Sequence, residues 1–260
     1  MRKDLPMLAA ERQRLIVEWI LKEKTLSLEE LQKRLKTSLM TVRRDLDHLQ
    51  REGHIIRVHG GATVKKDIAS HLTRFEQRRD AHSEEKDRIA RCAVKNFIKE
   101  NDIIILEGGT TVSAMIPYLT QFHLTVMTNG LNLVNGLVHS ENIQVMCCGG
   151  TFDKEELTFI GPQAAEFFGQ FRVHKCFFGA DGLTLEDGVT ESNQPEIEVK
   201  RAMIKCAHQR ILLIDSSKIG KSSLVPAIPL EEIDIMITDK NASNDIIHTL
   251  KTMNIDMHIV

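Results

Sequence analysis

No run of apolar residues in this 260-residue chain approaches the about 20 that a bilayer-spanning helix requires. The opening Met1-Arg2-Lys3-Asp4 is charged where a secretory leader would turn apolar, so a cytoplasmic location and no membrane partner are expected. Cysteine is sparse: Cys92, Cys147, Cys148, Cys176 and Cys206 are odd in number, and none is spaced C-x-x-C. That arrangement indicates neither a disulfide framework nor a zinc site and fits a reducing compartment. Repeats and low-complexity tracts are missing too, so neither a repeat array nor a biased tail is expected. No metal and no cofactor are expected.

What is present is ordinary for a globular protein: 42% hydrophobic and 27% charged residues, enough core for two domains or one large one. The net charge of −2 hides an asymmetry. Residues 1–66 hold 15 of the 34 Lys and Arg against 9 of the 36 Asp and Glu, a net +6, which leaves −8 on the remainder. A basic N-terminal module on an acidic body suggests that only the first part meets a polyanion.

Within that module, Thr37-Ser38-Leu39-Met40-Thr41-Val42-Arg43-Arg44-Asp45-Leu46 reads as a DNA-reading helix. Ser38 suits an N-cap, and Val42, Leu46 and Leu49 recur at i, i+4 and i+7 as one buried stripe. Thr41, Arg43, Arg44, His48 and Arg51 cannot all join that stripe, so donors and positive charge face outward, toward base edges and phosphates. Gly53 closes the helix, Ile55 to Val58 reads as a short strand, and Gly60-Gly61 as the turn of a wing. Two adjacent arginines on a helix are by themselves usually only a solvated face. The preceding elements and the charge split decide otherwise.

Ala9 to Lys24 reads as a first helix, with Leu15, Ile16, Trp19 and Ile20 at helical spacing. Ser27-Leu28-Glu29-Glu30 is a capping box that opens a short second helix with Leu28, Leu31 and Leu35 inward. Three helices and a hairpin make a winged helix-turn-helix, its turn motif at about residues 25–44.

The remainder alternates. Residues 67–82 show no apolar period and read as a linker. Ser83, with Glu84 and Glu85, caps a helix running to about Glu100. Strands at about 102–106, 124–127, 143–148, 175–180, 211–215, 234–238 and 257–260 are separated by helices or loops, which predicts a mainly parallel sheet covered on both faces. Loops rich in Gly, Thr, Asn and Lys follow several strands, on the side where open α/β sheets bind ligands. Gly109-Thr110-Thr111 can offer backbone N–H groups and hydroxyls to a phosphate, with Thr128-Asn129-Gly130 and Gly149-Gly150 flanking and Lys218 supplying charge. One such loop is commonly only a turn; several in succession point to a ligand site.

The string Thr41-Val42-Arg43-Arg44-Asp45-Leu46, with Leu49, Gly53 and His59-Gly60-Gly61-Ala62 at these spacings, resembles the DeoR family of bacterial repressors. Thr37 departs from the family's usual small apolar residue before the serine. The loop order after residue 83 is similar to the family's C-terminal sensor domain, which shares its fold with ribose-5-phosphate isomerase, glucosamine-6-phosphate deaminase and CoA transferases. The resemblance implies three segments: a winged helix-turn-helix DNA-binding domain over 1–66, a linker over 67–82, and an effector-binding and oligomerisation domain over 83–260. It implies Ser38, Thr41, Arg43, Arg44, His48, Arg57 and His59 at operator DNA. For a phosphorylated sugar or related metabolite it implies Glu107, Gly109, Thr110, Thr111, Thr128, Asn129, Gly130, Gly149, Gly150, Gly182 and Lys218. Glu107 stands where the family commonly has Asp, and the extra methylene shifts the carboxylate by about 1.5 Å. The expected protein is a repressor of a carbohydrate-catabolism operon, a dimer or tetramer, with no catalytic residues. Two alternatives stay open: a sugar-phosphate isomerase-like enzyme using Asp181, Glu191 and Lys218 as acid and base, and a degenerate pocket used only for assembly.

Overall fold

The computed structural model describes residues 8–23, 25–58, 60–63 and 73–260. The chain divides into two compact units, Met1–Leu72 and Thr73–Val260, each with its own core.

In the first unit, α1 (Ala9–Glu23) buries Ile16 and Ile20. Helix α2 (Leu28–Leu35) starts at a reciprocal cap: Ser27 Oγ accepts the Glu30 N–H at 3.2 Å, and Glu30 Oε2 accepts the Ser27 N–H at 2.9 Å. Such a cap stabilises a helix by about 1 kcal/mol. Helix α3 (Leu39–Arg51) begins at Ser38, whose Oγ accepts the Thr41 N–H at 3.2 Å. It ends where Gly53 takes a φ of +80°, a left-handed conformation that glycine adopts without strain. Val42, Leu46 and Leu49 are buried as their spacing predicts, and so is Asp45. Arg12 Nε donates to Asp45 Oδ2 at 2.8 Å, so this aspartate ties α1 to α3. The wing is larger than the predicted hairpin. β1 (Thr25–Ser27), β2 (Ile56–Val58) and β3 (Gly61–Thr63) form an antiparallel sheet in the order β1-β3-β2.

The second unit is organised by seven strands: β4 (Ile103–Leu106), β5 (Leu124–Thr128), β6 (Ile143–Cys147), β9 (Val173–Phe178), β12 (Ala207–Leu213), β14 (Ile235–Thr238) and β15 (Asp256–Ile259). All pair in parallel, in the order β15-β14-β12-β9-β4-β5-β6. Alternate residues feed opposite faces. Ile104, Leu106, Ile211 and Leu213 pack with Ile89, Ala93 and Val94 of the Ser83–Phe97 helix. Ile105, Leu212 and Met236 pack with Phe168, Met203 and Leu250 on the other side. Two antiparallel additions escaped the alternation pattern: a hairpin of β7 (Thr151–Asp153) and β8 (Thr158–Ile160), and a sheet of β10 (Gly182–Thr184), β11 (Gly188–Glu191) and β13 (Val225–Ile228). β7, β8 and β10, of three residues each, are too short to show a period.

The linker expectation needs correction at its C-terminal half. Residues 67–72 lie outside the described residues, but Arg74–Asp80 is a helix of the second unit. Its Thr73/Glu76 capping box and buried Phe75, whose N–H donates to Glu155 O at 2.9 Å, fasten it there. The seven-residue helix buries only Phe75, too little to leave a periodic signal. Nor does Ser83 cap the next helix: the capping position is His82, with φ 54° and no side-chain bond.

Candidate functional site

The order of the parallel sheet determines where a cavity forms. From β4 the chain adds β5 and β6 on one side, then crosses to place β9, β12, β14 and β15 on the other. Between β4 and β9 the loops therefore leave in opposite directions, and open α/β sheets bind ligands in that crevice. A cavity of about 230 Å³ lies there, lined by residues that follow β4 (Glu107 to Thr111), β9 (Gly179 to Asp181) and β12 (Ile214, Asp215, Ser217, Lys218). Arg78, Ala81, His82, Lys86, Glu156, Thr158, Glu191, Glu196 and Lys200 complete its wall.

The two sides of the crevice are stitched together by Glu107. Its Oε2 accepts the Gly179 N–H at 2.8 Å, while its Oε1 lies 3.0 Å from Lys200 Nζ. Lys200 also contacts Glu191 and donates to Gly179 O at 2.8 Å. Burial opposes the charge on Lys200, but Glu107 and Glu191 outweigh it and keep the ammonium protonated well past the ordinary lysine range. Gly108 is needed by contact: a Cβ there would sit 2.5 Å from Thr158 Cγ2 and 3.0 Å from Gly130 Cα. The Thr110–Ser113 turn of helix follows, and a helix leaves its first backbone N–H groups without internal acceptors.

A second cluster uses Arg78 from the Arg74–Asp80 helix. It contacts Glu156 and donates through Nη1 to Asp181 Oδ1 at 2.6 Å, while its buried Nε has no acceptor among the described residues. Burial alone would raise the Asp181 carboxyl, yet the Ser192 hydroxyl and N–H, with Arg78, hold it below its ordinary value. Glu196 accepts from Thr158 Oγ1 at 3.0 Å. Burial pushes Glu196 up to about 8, reinforced by Glu107, Glu156 and Glu191 and opposed by Lys200. Lys218 has no side-chain partner among the described residues, so its charge is available to the cavity.

Of the residues implied for an effector, Glu107, Gly109, Thr110, Thr111 and Lys218 line the cavity. Thr128, Asn129 and Gly130 do not; they brace its floor. Asn129 Oδ1 accepts the Gly108 N–H at 3.0 Å, and Thr128 Oγ1 accepts the Gly130 N–H at 2.9 Å. Gly149, Gly150 and Gly182 also lie outside the lining. Gly182 begins β10, where a Cβ would fall 2.3 Å from Lys221 O. The sequence reading missed Arg78, Lys86, Glu156, Thr158, Glu196 and Lys200. Lys200 and Glu196 sit in a helix whose charges look solvated in sequence; a buried lysine at i+4 from a glutamate carries no local mark.

On the first unit, Arg43 and Arg44 are exposed on α3. Ser38 and Thr41 engage each other, their hydroxyls 2.9 Å apart. His48 pairs with Glu52 at 3.3 Å, and Arg57 of the wing donates to Asp47 of α3 at 2.5 Å. His59 lies outside the described residues. No described helix is long and apolar enough to cross a membrane, and no described group of His, Cys, Asp and Glu could hold a metal.

A winged helix-turn-helix joined in one chain to an α/β unit with a polar cavity at its switch point defines a transcriptional regulator with a sensor domain. Residues 12–67 match the DeoR-like helix-turn-helix domain and residues 81–240 the DeoR C-terminal sensor domain; the chain belongs to the DeoR family. The HTH-type transcriptional repressor GlcR of Bacillus subtilis is 35% identical, over 90% of this chain and 90% of its own length. The glycerol-3-phosphate regulon repressor of Escherichia coli is 28% identical, over 97% and 100%. Among solved structures, ribose 5-phosphate isomerase A of Methanocaldococcus jannaschii is 16% identical over 54% of this chain and 55% of that one, with a TM-score of 0.40.

Proposed function

We propose that this protein represses a carbohydrate-catabolism operon and is released from its operator by a phosphorylated sugar or related metabolite bound in the cavity between β4 and β9. The observation that carries the reading is that Lys218, without a side-chain partner among the described residues, shares one polar cavity with the helix-opening loop Gly109-Thr110-Thr111. Backbone N–H groups and a free ammonium are suited to a phosphate, and the surrounding carboxyls to hydroxyl groups. The name of the glycerol-3-phosphate regulon repressor agrees with this class of metabolite. Arg43, Arg44 and Arg57 meet DNA, and His48 lies beside them. A two-fold assembly, a dimer or a tetramer, presents two winged modules to two half-sites. The effector acts by binding one arrangement of these modules more tightly than the other.

The isomerase alternative loses support at its proposed groups. Asp181 is engaged by Arg78 and Ser192, and Glu191 by Lys200, contacts that give both carboxylates a structural role in the cavity wall.

A thermal-shift screen of the intact protein against phosphorylated sugars and polyols tests the reading, because a ligand of the native state raises Tm by mass action. Each hit is then incubated for turnover and added to a protein–operator gel shift. A rise in Tm without product, with release of DNA, is the expected result. Product formation would establish the enzyme, and no shift with any member of the set would remove the effector reading.

A further inference from the structure

Along α3, opposite the buried Val42, Leu46 and Leu49, the positions i, i+4, i+7 and i+11 are Met40, Arg44, Asp47 and Arg51, all exposed. Three of the four are charged. Met40 is the exception and is 70% exposed. Among the described residues, the first unit's core does not include it. A thioether side chain left in water at the start of this helix costs apolar hydration and returns no packing to the fold. What surrounds it says what covers it. Arg43 and Arg44 lie one turn along the helix, Arg57 is held at the neighbouring wing by Asp47, and the module carries a net +6 over residues 1–66. These are the charges of a surface that meets a polyanion, and helix-turn-helix proteins bring the first residues of this helix to base edges in the major groove. The apolar feature in that groove is the 5-methyl group of thymine.

We propose that Met40 reads a thymine methyl in the operator half-site, and so contributes sequence choice where Arg43 and Arg44 contribute affinity. This rests on the DNA-binding reading above. Ser38 and Thr41, whose hydroxyls satisfy each other and the helix start, hold the backbone that aims Met40.

The test uses the full-length protein and a randomised duplex pool, from which bound sequences are selected for wild type and for Met40→Gln, a polar side chain of similar length. Each thymine of the wild-type consensus is then replaced by uracil, which removes only the methyl group. Wild type is expected to lose about fourfold in affinity for each methyl removed at one symmetric pair of positions, the effect of taking one apolar carbon out of contact. Met40→Gln should bind thymine and uracil duplexes equally and keep the salt dependence of wild type, because no phosphate contact has changed. A thymine preference that survives Met40→Gln overturns the proposal, as does a wild type indifferent to every methyl. A change in oligomeric state with unchanged base preference would make Met40 an interface residue instead. Wild type that selects no duplex at all would overturn the DNA-binding reading itself.

Discussion

The Lys200 ammonium lies 3.0 Å from the Glu107 carboxylate across 93 positions of sequence, in a cavity wall where Lys200 is 3% exposed. One lysine thus bridges the carboxylates of Glu107, in the loop after β4, and Glu191, at the end of β11. Lys200→Met would strand both. Breaking a buried pair from one side costs about 3–5 kcal/mol. For a unit of this size that lowers Tm by roughly 6–20 °C. Glu107→Gln, which leaves Lys200 its bond with Glu191, should cost clearly less. Thermal melts of the two variants check the order.

Asp45 belongs to the family string, yet it faces inward. It accepts from Arg12 Nε at 2.8 Å and from Gln13 Nε2 at 3.3 Å, 4% exposed. Asp45→Ala should destabilise the first unit by about 2 kcal/mol, since Arg12 can partly rehydrate. Hydrogen exchange would show protection lost in the Ala9–Glu23 and Leu39–Arg51 helices while the Ser83–Phe97 helix keeps its own.

Arg43 and Arg44 are exposed and carry no ion pair among the described residues. Arg44→Ala should weaken operator binding about tenfold or more, and if the contact is to a phosphate, it should lower the slope of log K against log salt by about one. Gel-shift titrations at several salt concentrations measure both. Effector-induced shifts in Tm should be unchanged in the same variant.

Glu196 links the cavity to pH. Its carboxyl is raised to about 8 in the folded protein, so the folded state holds this proton after the unfolded chain has lost it. Its contribution to stability is full below the ordinary carboxylate range and is lost as pH climbs from there through 8. Glu196→Gln, whose Oε1 still accepts from Thr158, should match wild type at pH 4 and exceed it by about 4–5 kcal/mol at pH 9. Melts across that range test the crossover. A dianionic effector should also draw a proton onto Glu196, visible as heats of binding that change with buffer ionisation enthalpy near pH 7.5.

The elements legible in sequence are those whose cause is local. The Ser27/Glu30 and Ser38 caps, the Val42-Leu46-Leu49 stripe and the Gly53 stop each depend on residues within one or two turns. The parallel strands were legible for the same reason, as short apolar runs ahead of Gly-rich loops. The Arg74–Asp80 helix was not, because it buries a single Phe75 against the second unit.

Residue order alone thus determined the winged module, the alternating α/β body, the family, and the loop Glu107 to Thr111 at a strand end. Tertiary structure decided which loops meet. Strand order depends on long-range pairing, which an apolar run in sequence does not encode, since a strand at the edge and one at the centre can carry the same residues. Placing β9 beside β4 put the switch point between Glu107 and Gly179, brought Lys200 and Glu196 into the wall, and left Gly149, Gly150 and Gly182 outside the cavity lining.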